Sequence, residues 1–308
     1  MEAGIASNVC GNDFADHSGS AKIAGRRGAG LNASSLESIA QAFDSGVAIP
    51  YLGPGVLCFD GTARTLPDSP LALVGHLTAK SSVPHKVRNN LGAAAQFIEN
   101  FKHRGTVTSA MTAAFSGEAQ PNALHTLLMS MPALPLVVHA WYDDLPQKAL
   151  GSRSNWGVAQ GVCQSEHPGN WIHYFSSDGA YAGVETDHPY ADWKTLLYQP
   201  FGSVWPAHNY LVSDSDFVEV LTEIDIQTPI PDSVQKIRIE RSFVFLGCRF
   251  STQLERIFAH QIIKRSAKNH WAIMPEKPTR NEAHFLEEHN IARIALSLTE
   301  FVAAFSKI

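Results

Sequence analysis

The sequence predicts an α/β protein: a doubly wound, mainly parallel sheet with an inserted helical layer. Three observations predict it. Short apolar runs at 47–52, 134–140 and 242–248 alternate with helical patterns, as buried parallel strands and crossover helices do. The first run feeds directly into Gly53-Pro54-Gly55-Val56, a strand-to-glycine turn of the kind that lets backbone approach a pyrophosphate. The 308 residues are 44% hydrophobic and 17% charged, which suits a chain that buries a core.

The elements follow in order. Residues 1–33 are mostly small and polar, and too few apolar groups are present to offset the entropy of ordering, so a flexible leader is expected. Gly28-Ala29-Gly30 falls there with no strand before it, which removes the context a dinucleotide loop needs. Ser34-x-x-Glu37 has the capping-box pattern, and Leu36, Ile39, Ala40 and Phe43 share one helical face that Gly46 ends. After the first strand and its turn, a helical insertion spans about 62–131. Leu91, Ala94, Ala95, Ile98 and Phe101 form one stripe, and further helices follow Thr106 and Pro121.

The strand at 134–140 ends in Trp141-Tyr142-Asp143-Asp144. From about 151 to 195, Gly, Ser and aromatic residues dominate. An irregular segment is expected there, with short strands near 157–162 and 171–175. Alternation then resumes: a strand at 196–199, a helix at 214–224 capped by Ser213, and strands at 242–248, 270–274 and 291–296, with helices at 254–264, 281–289 and 298–305. Residues 34–308 thus read as one domain.

Composition excludes several classes. A net charge of -5 supplies no basic field for nucleic acid or an anionic membrane. No apolar run approaches the roughly 18 residues of a membrane span, and the N-terminal residues lack a signal-peptide order. The four cysteines, Cys10, Cys58, Cys163 and Cys248, form no C-x-x-C pair. Reduced thiols in a cytoplasmic protein, with no zinc, are therefore expected. No Ser-His-Asp set, Gly-x-Ser-x-Gly elbow or Walker loop occurs.

Lesser patterns have ordinary explanations. His284 and Glu288 stand four apart on an expected helix without a third metal ligand. His167 and His173 near Cys163 lack ligand spacing. The aromatic run from Trp156 to Trp193 suits packing under a long segment better than base stacking, and Lys264-Arg265-x-x-Lys268 suits a solvated helix end.

Ligands of open parallel sheets sit at the carboxyl ends of the strands. Four such ends carry glycine or polar groups: Gly53-Pro54-Gly55, His139 to Asp144, Phe201-Gly202-Ser203 and Gly247-Cys248-Arg249. Singly, each suits a tight turn. Together they are expected to converge on one crevice.

Those four segments resemble, in order and spacing, the motifs of sirtuin-like (silent-information-regulator type) domains, over roughly 38–275. Residues 52–56 look like the family's Gly-Ala-Gly loop, and residues 137–144 like its Thr-x-Asn-x-Asp strand end. Residues 199–203, with the 213–217 segment after them, are similar to its His-Gly segment and Asp-Tyr helix, and residues 243–250 to its Phe-Leu-Gly-Tyr-Ser turn. The resemblance implies NAD, ADP-ribose or another adenine nucleotide as ligand. It implies contacts from Gly53, Pro54, Gly55, Val56, Trp141, Asp143, Phe201, Gly202, Ser203, Gly247, Cys248 and Arg249.

The match is uneven where chemistry is concerned. Trp141 stands where the family has an Asn and Phe201 where it has the catalytic His. Trp offers one N–H donor and Phe offers none, so the usual apparatus for cleaving the nicotinamide–ribose bond is lacking. His139, Asp143 or His208 would have to serve as displaced catalytic groups. Three expectations follow: a nucleotide-binding sensor or interaction module with reduced or altered catalysis, an NAD-consuming enzyme (glycohydrolase or deacylase) with a rearranged pair, or a scaffold that no longer binds nucleotide. A protein partner or a homo-oligomer suits the first and third. Residues 212–231 also resemble a subgroup of the family encoded near bacterial nitrogen-fixation genes, which says nothing about mechanism.

Overall fold

The computed structural model describes residues 34–59, 66–151, 153–187, 189–223 and 230–307. The expected leader, with Cys10 and Gly28-Ala29-Gly30, lies outside the described residues, as does 224–229 within the 212–231 segment.

Helix α1 (34–44) precedes β1 (Ala48–Leu52). The insertion between β1 and β2 consists of α2 (Pro70–Thr78), α3 (Leu91–Lys102), α4 (Arg104–Phe115) and α5 (Ala123–Met129); the expected single layer is divided, since α5 packs on the opposite face of the sheet from α2, α3 and α4. Then follow β2 (Leu136–His139), α6 (Leu145–Leu150), β3 (Trp156–Gly161), β4 (Ile172–Ser176), β5 (Tyr181–Val184) and β6 (Thr195–Gln199). A ribbon of β7 (Gly202–Ser203) and β8 (Asn209–Tyr210) leads to α7 (Asp214–Glu223) and α8 (Asp232–Ile237). The chain closes with β9 (Ser242–Leu246), α9 (Gln253–Ile263), β10 (His270–Ile273), α10 (Arg280–Glu288), β11 (Ile291–Ile294) and α11 (Leu298–Phe305).

Nine strands form one sheet in the order β11-β10-β9-β1-β2-β6-β3-β4-β5. From β11 to β3 every neighbour is parallel, and β4 and β5 add antiparallel. The predicted α/β class with a mainly parallel sheet is thus the observed one. Successive side chains of a strand point to opposite faces, and two cores result. Ile49, Tyr51, Phe243 and Phe245 pack with α2, α3, α4 and α9 on one face. Ala48, Leu52, Val244 and Leu246 pack with α1, α5 and α11 on the other.

Within 151–195 the short strands expected near 157–162 and 171–175 are β3 and β4, and the structure adds β5, which the sequence did not suggest. The segment extends the sheet through β3, β4 and β5, with β3 buried along its whole length between β6 and β4. The aromatic residues pack as core. Tyr174 lies against Tyr190 at 5.4 Å and Trp193 at 6.3 Å between ring centroids, and Trp193 occupies the space a side chain at Gly157 would fill. Short runs broken by Gly and Ser do not show which neighbours their strands will pair with.

Helix ends follow the capping rules. Thr252 with Glu255, Thr279 with Glu282 and Ser297 with Glu300 form capping boxes on α9, α10 and α11. No helix among the described residues is long and apolar enough to cross a membrane.

The strand order reverses at β1: the chain runs outward through β2 toward β3, then returns to β9 on the other side of β1. At this switch point the turns after β1 and β9 interlock. Gly53 N–H donates to Leu246 O at 2.9 Å and Gly55 N–H to Gly247 O at 3.0 Å. A Cβ on Gly247, which has φ +67°, would lie 2.4 Å from Val56 N, and one on Gly53 would lie 2.6 Å from Gly247 O. Neither clash can relax through a flexible side chain.

Two stability predictions follow. Gly247→Ala combines left-handed strain with a backbone clash and is expected to cost roughly 2–5 kcal/mol in urea unfolding. Gly75→Ala in α2, where a Cβ meets nothing within 4 Å, is expected to be neutral or to stabilise by about 0.5–1 kcal/mol. Equal effects would contradict the interlocked-turn account. Burial lowers His125 from 6.5 to about 4, and burial with the charge of His289 does the same for His270. Both folded values lie below the unfolded one, so the unfolded chain binds more protons as pH falls. Stability is fully present above pH 6.5 and declines toward pH 4, by on the order of 3 kcal/mol for His125. Melting temperatures across that range test this, and His125→Gln should flatten the decline.

Candidate functional site

The four expected strand ends belong to β9, β1, β2 and β6, which are consecutive neighbours in the sheet. Their turns therefore meet on one side, at the switch point, where a cavity of about 650 Å³ opens. That size suits a small organic ligand.

Each turn contributes for a local reason. The close approach of Gly53 and Gly247 lets Pro54 and Cys248 reach the cavity wall. After β2, Ala140 N–H donates to Leu52 O at 2.8 Å, which continues the parallel pairing and presents Trp141 and Tyr142 to the cavity. Trp141 Nε1–H donates to Pro67 O at 2.9 Å, so its one polar group is engaged away from any ligand. Tyr142 OH donates to Leu211 O at 2.8 Å. Phe201 packs against Tyr142, Phe217 and Phe258, with centroids 6.3, 5.8 and 4.8 Å away.

The wall is dominated by six aromatic residues, Tyr51, Trp141, Tyr142, Phe201, Phe217 and Phe250. Its polar groups come largely from helix starts. Asn90 caps α3 by accepting from Ala93 N at 3.0 Å. Thr252 caps α9, where Glu255 accepts from Thr252 N at 2.9 Å. Asp214 begins α7 beside Gly92 of α3, in space that a Cβ on Gly92 would take. Burial pushes the Asp214 carboxyl up. Burial, aided by the charge of Glu255, likewise pushes up the Cys248 thiol, leaving it a poor nucleophile.

Of the residues the sequence points to, Gly53, Pro54, Trp141, Phe201, Cys248 and Arg249 line the cavity. Gly55, Val56, Gly202, Ser203, Gly247 and Asp143 do not line it. Ser203 Oγ donates to the carbonyls of Tyr142 and Asp143, both at 3.1 Å, and holds the β2 turn against β7. Gly202, with φ +79°, permits the β7–β8 ribbon, where a Cβ would lie 2.0 Å from Asn209 O.

His139 and Asp143 do come together, but behind the wall. His139 is 2% exposed and Asp143 1%. Their Nε2 and Oδ2 are 3.1 Å apart. Gln199 Nε2 donates to His139 Nδ1 at 3.4 Å and Gln160 Nε2 donates to Gln199 Oε1 at 3.1 Å, which leaves the His139 Nε2–H for Asp143. Leu145 N–H donates to Asp143 Oδ1 at 3.0 Å. Burial pushes Asp143 up, but the interaction with His139 and the Leu145 N–H hydrogen bond outweigh it and hold the carboxyl below its usual range. Neither residue lines the cavity, and His208 is exposed in the β7–β8 turn. Among the described residues, no group of three His, Cys, Asp or Glu side chains is placed to hold a metal ion.

The expected pyrophosphate can be tested against this arrangement. A phosphate loop needs free backbone donors. Here Gly53 N–H and Gly55 N–H are taken by β9 and its turn, Val56 N–H donates to Gly53 O at 3.2 Å, and Pro54 has none. Asp214 and Glu255 add negative charge to the wall. Arg249, the one cationic residue lining it among the described residues, pairs with Glu276 and with Glu282, the latter at 3.3 Å. The residues present do not fit a pyrophosphate. The glycines serve the contact between two turns.

Sequence reasoning missed Asp214, Phe217, Phe250 and the caps at Asn90 and Thr252 as site residues. Their signal was a helix start after a strand end, such as Thr252-x-x-Glu255 following β9. Which helix starts share a crevice is decided by strand order.

A family model described as a SIR2-like domain matches residues 135–294, just over half of the chain, from β2 to β11. One solved structure, reported on the mechanism and regulation of Sir2 enzymes, is similar with 13% identity and a TM-score of 0.37, covering 89% of this chain and 98% of that one. No curated protein matches the chain. The family match extends over the three later strand ends that build the cavity, and the chain belongs to the SIR2-like domain family.

Proposed function

We propose that this SIR2-like domain binds a small organic ligand at its strand ends and does not cleave NAD, acting as a sensor or interaction module. The observation that carries the reading is the pair Trp141 and Phe201. Both line the cavity at the positions where the resemblance expects an Asn and a His. An oxocarbenium-like transition state needs a base and an oriented water or hydroxyl. Phe201 has no polar atom, and the Trp141 N–H is already engaged by Pro67 O. The aromatic wall keeps a ligand-sized volume, and neither Trp141 nor Phe201 supplies a base or orients a water there.

The enzyme reading would require His139, Asp143 or His208 at the cavity. The location of His139 and Asp143 behind the wall, in a hydrogen-bonded chain from Gln160 to Leu145, supports a structural role for them. NAD remains the ligand implied by the family resemblance, and the occupied loop donors speak against its pyrophosphate.

Pure protein incubated with millimolar NAD is expected to release nicotinamide no faster than buffer. Sustained turnover that His139→Ala or Asp143→Asn abolishes would overturn the reading. The buried pair should register instead in stability: His139→Ala leaves a buried carboxylate without its partner and is expected to cost about 3–5 kcal/mol in urea unfolding. The double variant with Asp143→Asn should lose less than the sum of the two single losses.

A further inference from the structure

Resting on the reading of the cavity as a ligand site, we propose that its ligand is an organic cation with a flat or apolar body, and that phosphate-bearing nucleotides are disfavoured there. The inference comes from the wall itself. Six aromatic residues, Tyr51, Trp141, Tyr142, Phe201, Phe217 and Phe250, surround one volume. Among the described residues, the lining carboxyl groups that form no ion pair are those of Asp214 and Glu255, while Arg249 is paired with Glu276 and Glu282. Aromatic faces carry negative quadrupole potential and attract a desolvated cation by about 0.5–2 kcal/mol. A carboxylate at the mouth adds to that attraction and opposes an anion with similar reach.

One feature of the fold acts in the other direction. The starts of α2, α3, α7 and α9 all open on the cavity, at Pro70, Leu91, Asp214 and Gln253, and each start favours negative charge by about 0.3–1 kcal/mol. The chain supplies that negative charge itself: Asp214 stands in the first turn of α7 and against the first turn of α3, and Glu255 in the first turn of α9. Side chains also occupy donors at these starts, with Ala72 N–H bonded to Ser69 Oγ, Ala93 N–H to Asn90 Oδ1 and Glu255 N–H to Thr252 Oγ1. An incoming phosphate would meet two carboxylates and an aromatic surface that cannot solvate it.

Calorimetric titration of the full chain with benzyltrimethylammonium, benzyl alcohol, phenyl phosphate, NAD and ADP-ribose tests this directly. The cation is expected to bind about tenfold tighter than the neutral alcohol, equivalent to about 1.4 kcal/mol, and the three phosphate compounds should give no heat at millimolar concentration. Asp214→Asn, which keeps the side chain's size at the solvent-facing start of α7, should cut the cation's advantage about fivefold and leave the alcohol unchanged, with urea unfolding of the variant measured alongside. Trp141→Leu should weaken cation and alcohol alike. Phenyl phosphate, NAD or ADP-ribose binding as tightly as the cation would overturn the inference while sparing the ligand-site reading, as would a cation preference indifferent to Asp214→Asn. Heat from none of the five would remove the ligand-site reading and this inference with it.

Discussion

The contact between the turns after β1 and β9 is the constraint on which the rest depends. Two backbones approach so closely there that Gly53, Gly55 and Gly247 have no room for a Cβ. The hydrogen bonds Gly53 N to Leu246 O and Gly55 N to Gly247 O continue the parallel pairing beyond the strands. This closure places the switch point of the sheet, and with it the floor of the cavity. It also uses the donors that a phosphate loop would leave free. The same glycines that suggest nucleotide binding in one dimension thus serve backbone packing in three.

Behind the other half of the cavity lies a buried polar chain from Gln160 through Gln199 and His139 to Asp143. Such groups are costly to bury unless each finds a partner, and here each does. Asp143 in turn receives the Leu145 N–H, and Ser203 ties the carbonyls of Tyr142 and Asp143 to β7. The network therefore aims Trp141 and Tyr142 at the cavity. The His139–Asp143 pair is itself buried, with both side chains almost wholly out of contact with solvent.

The α/β class, most strands and the four converging ends were legible because buried strands followed by glycine leave a mark in a single sequence. The carboxyl ends of β9, β1, β2 and β6 were identifiable one by one, and their adjacency follows from a strand order that no local pattern encodes. The strands β3 and β4 were legible as short runs, but their place beyond β6 and the addition of β5 were not, since that order comes from pairing across the chain. The interlock of the two turns was not legible, because the sequence cannot show that Gly55 N–H is bonded to Gly247 O. Asp214 and Phe250 stand in the matched segments 213–217 and 243–250 but were not assigned to the site, because only the fold brings α7 and the β9 turn to the same wall.

A crystal structure of the protein grown with both benzyltrimethylammonium and NAD at several millimolar tests the central claim most directly. The account predicts the ammonium group among the rings of Trp141, Tyr142 and Phe201 on the side of Asp214, with the Gly53–Gly55 turn still closed on Gly247. A dinucleotide seated there instead, its pyrophosphate on Gly53 and Gly55 with the contacts to β9 broken, would contradict it.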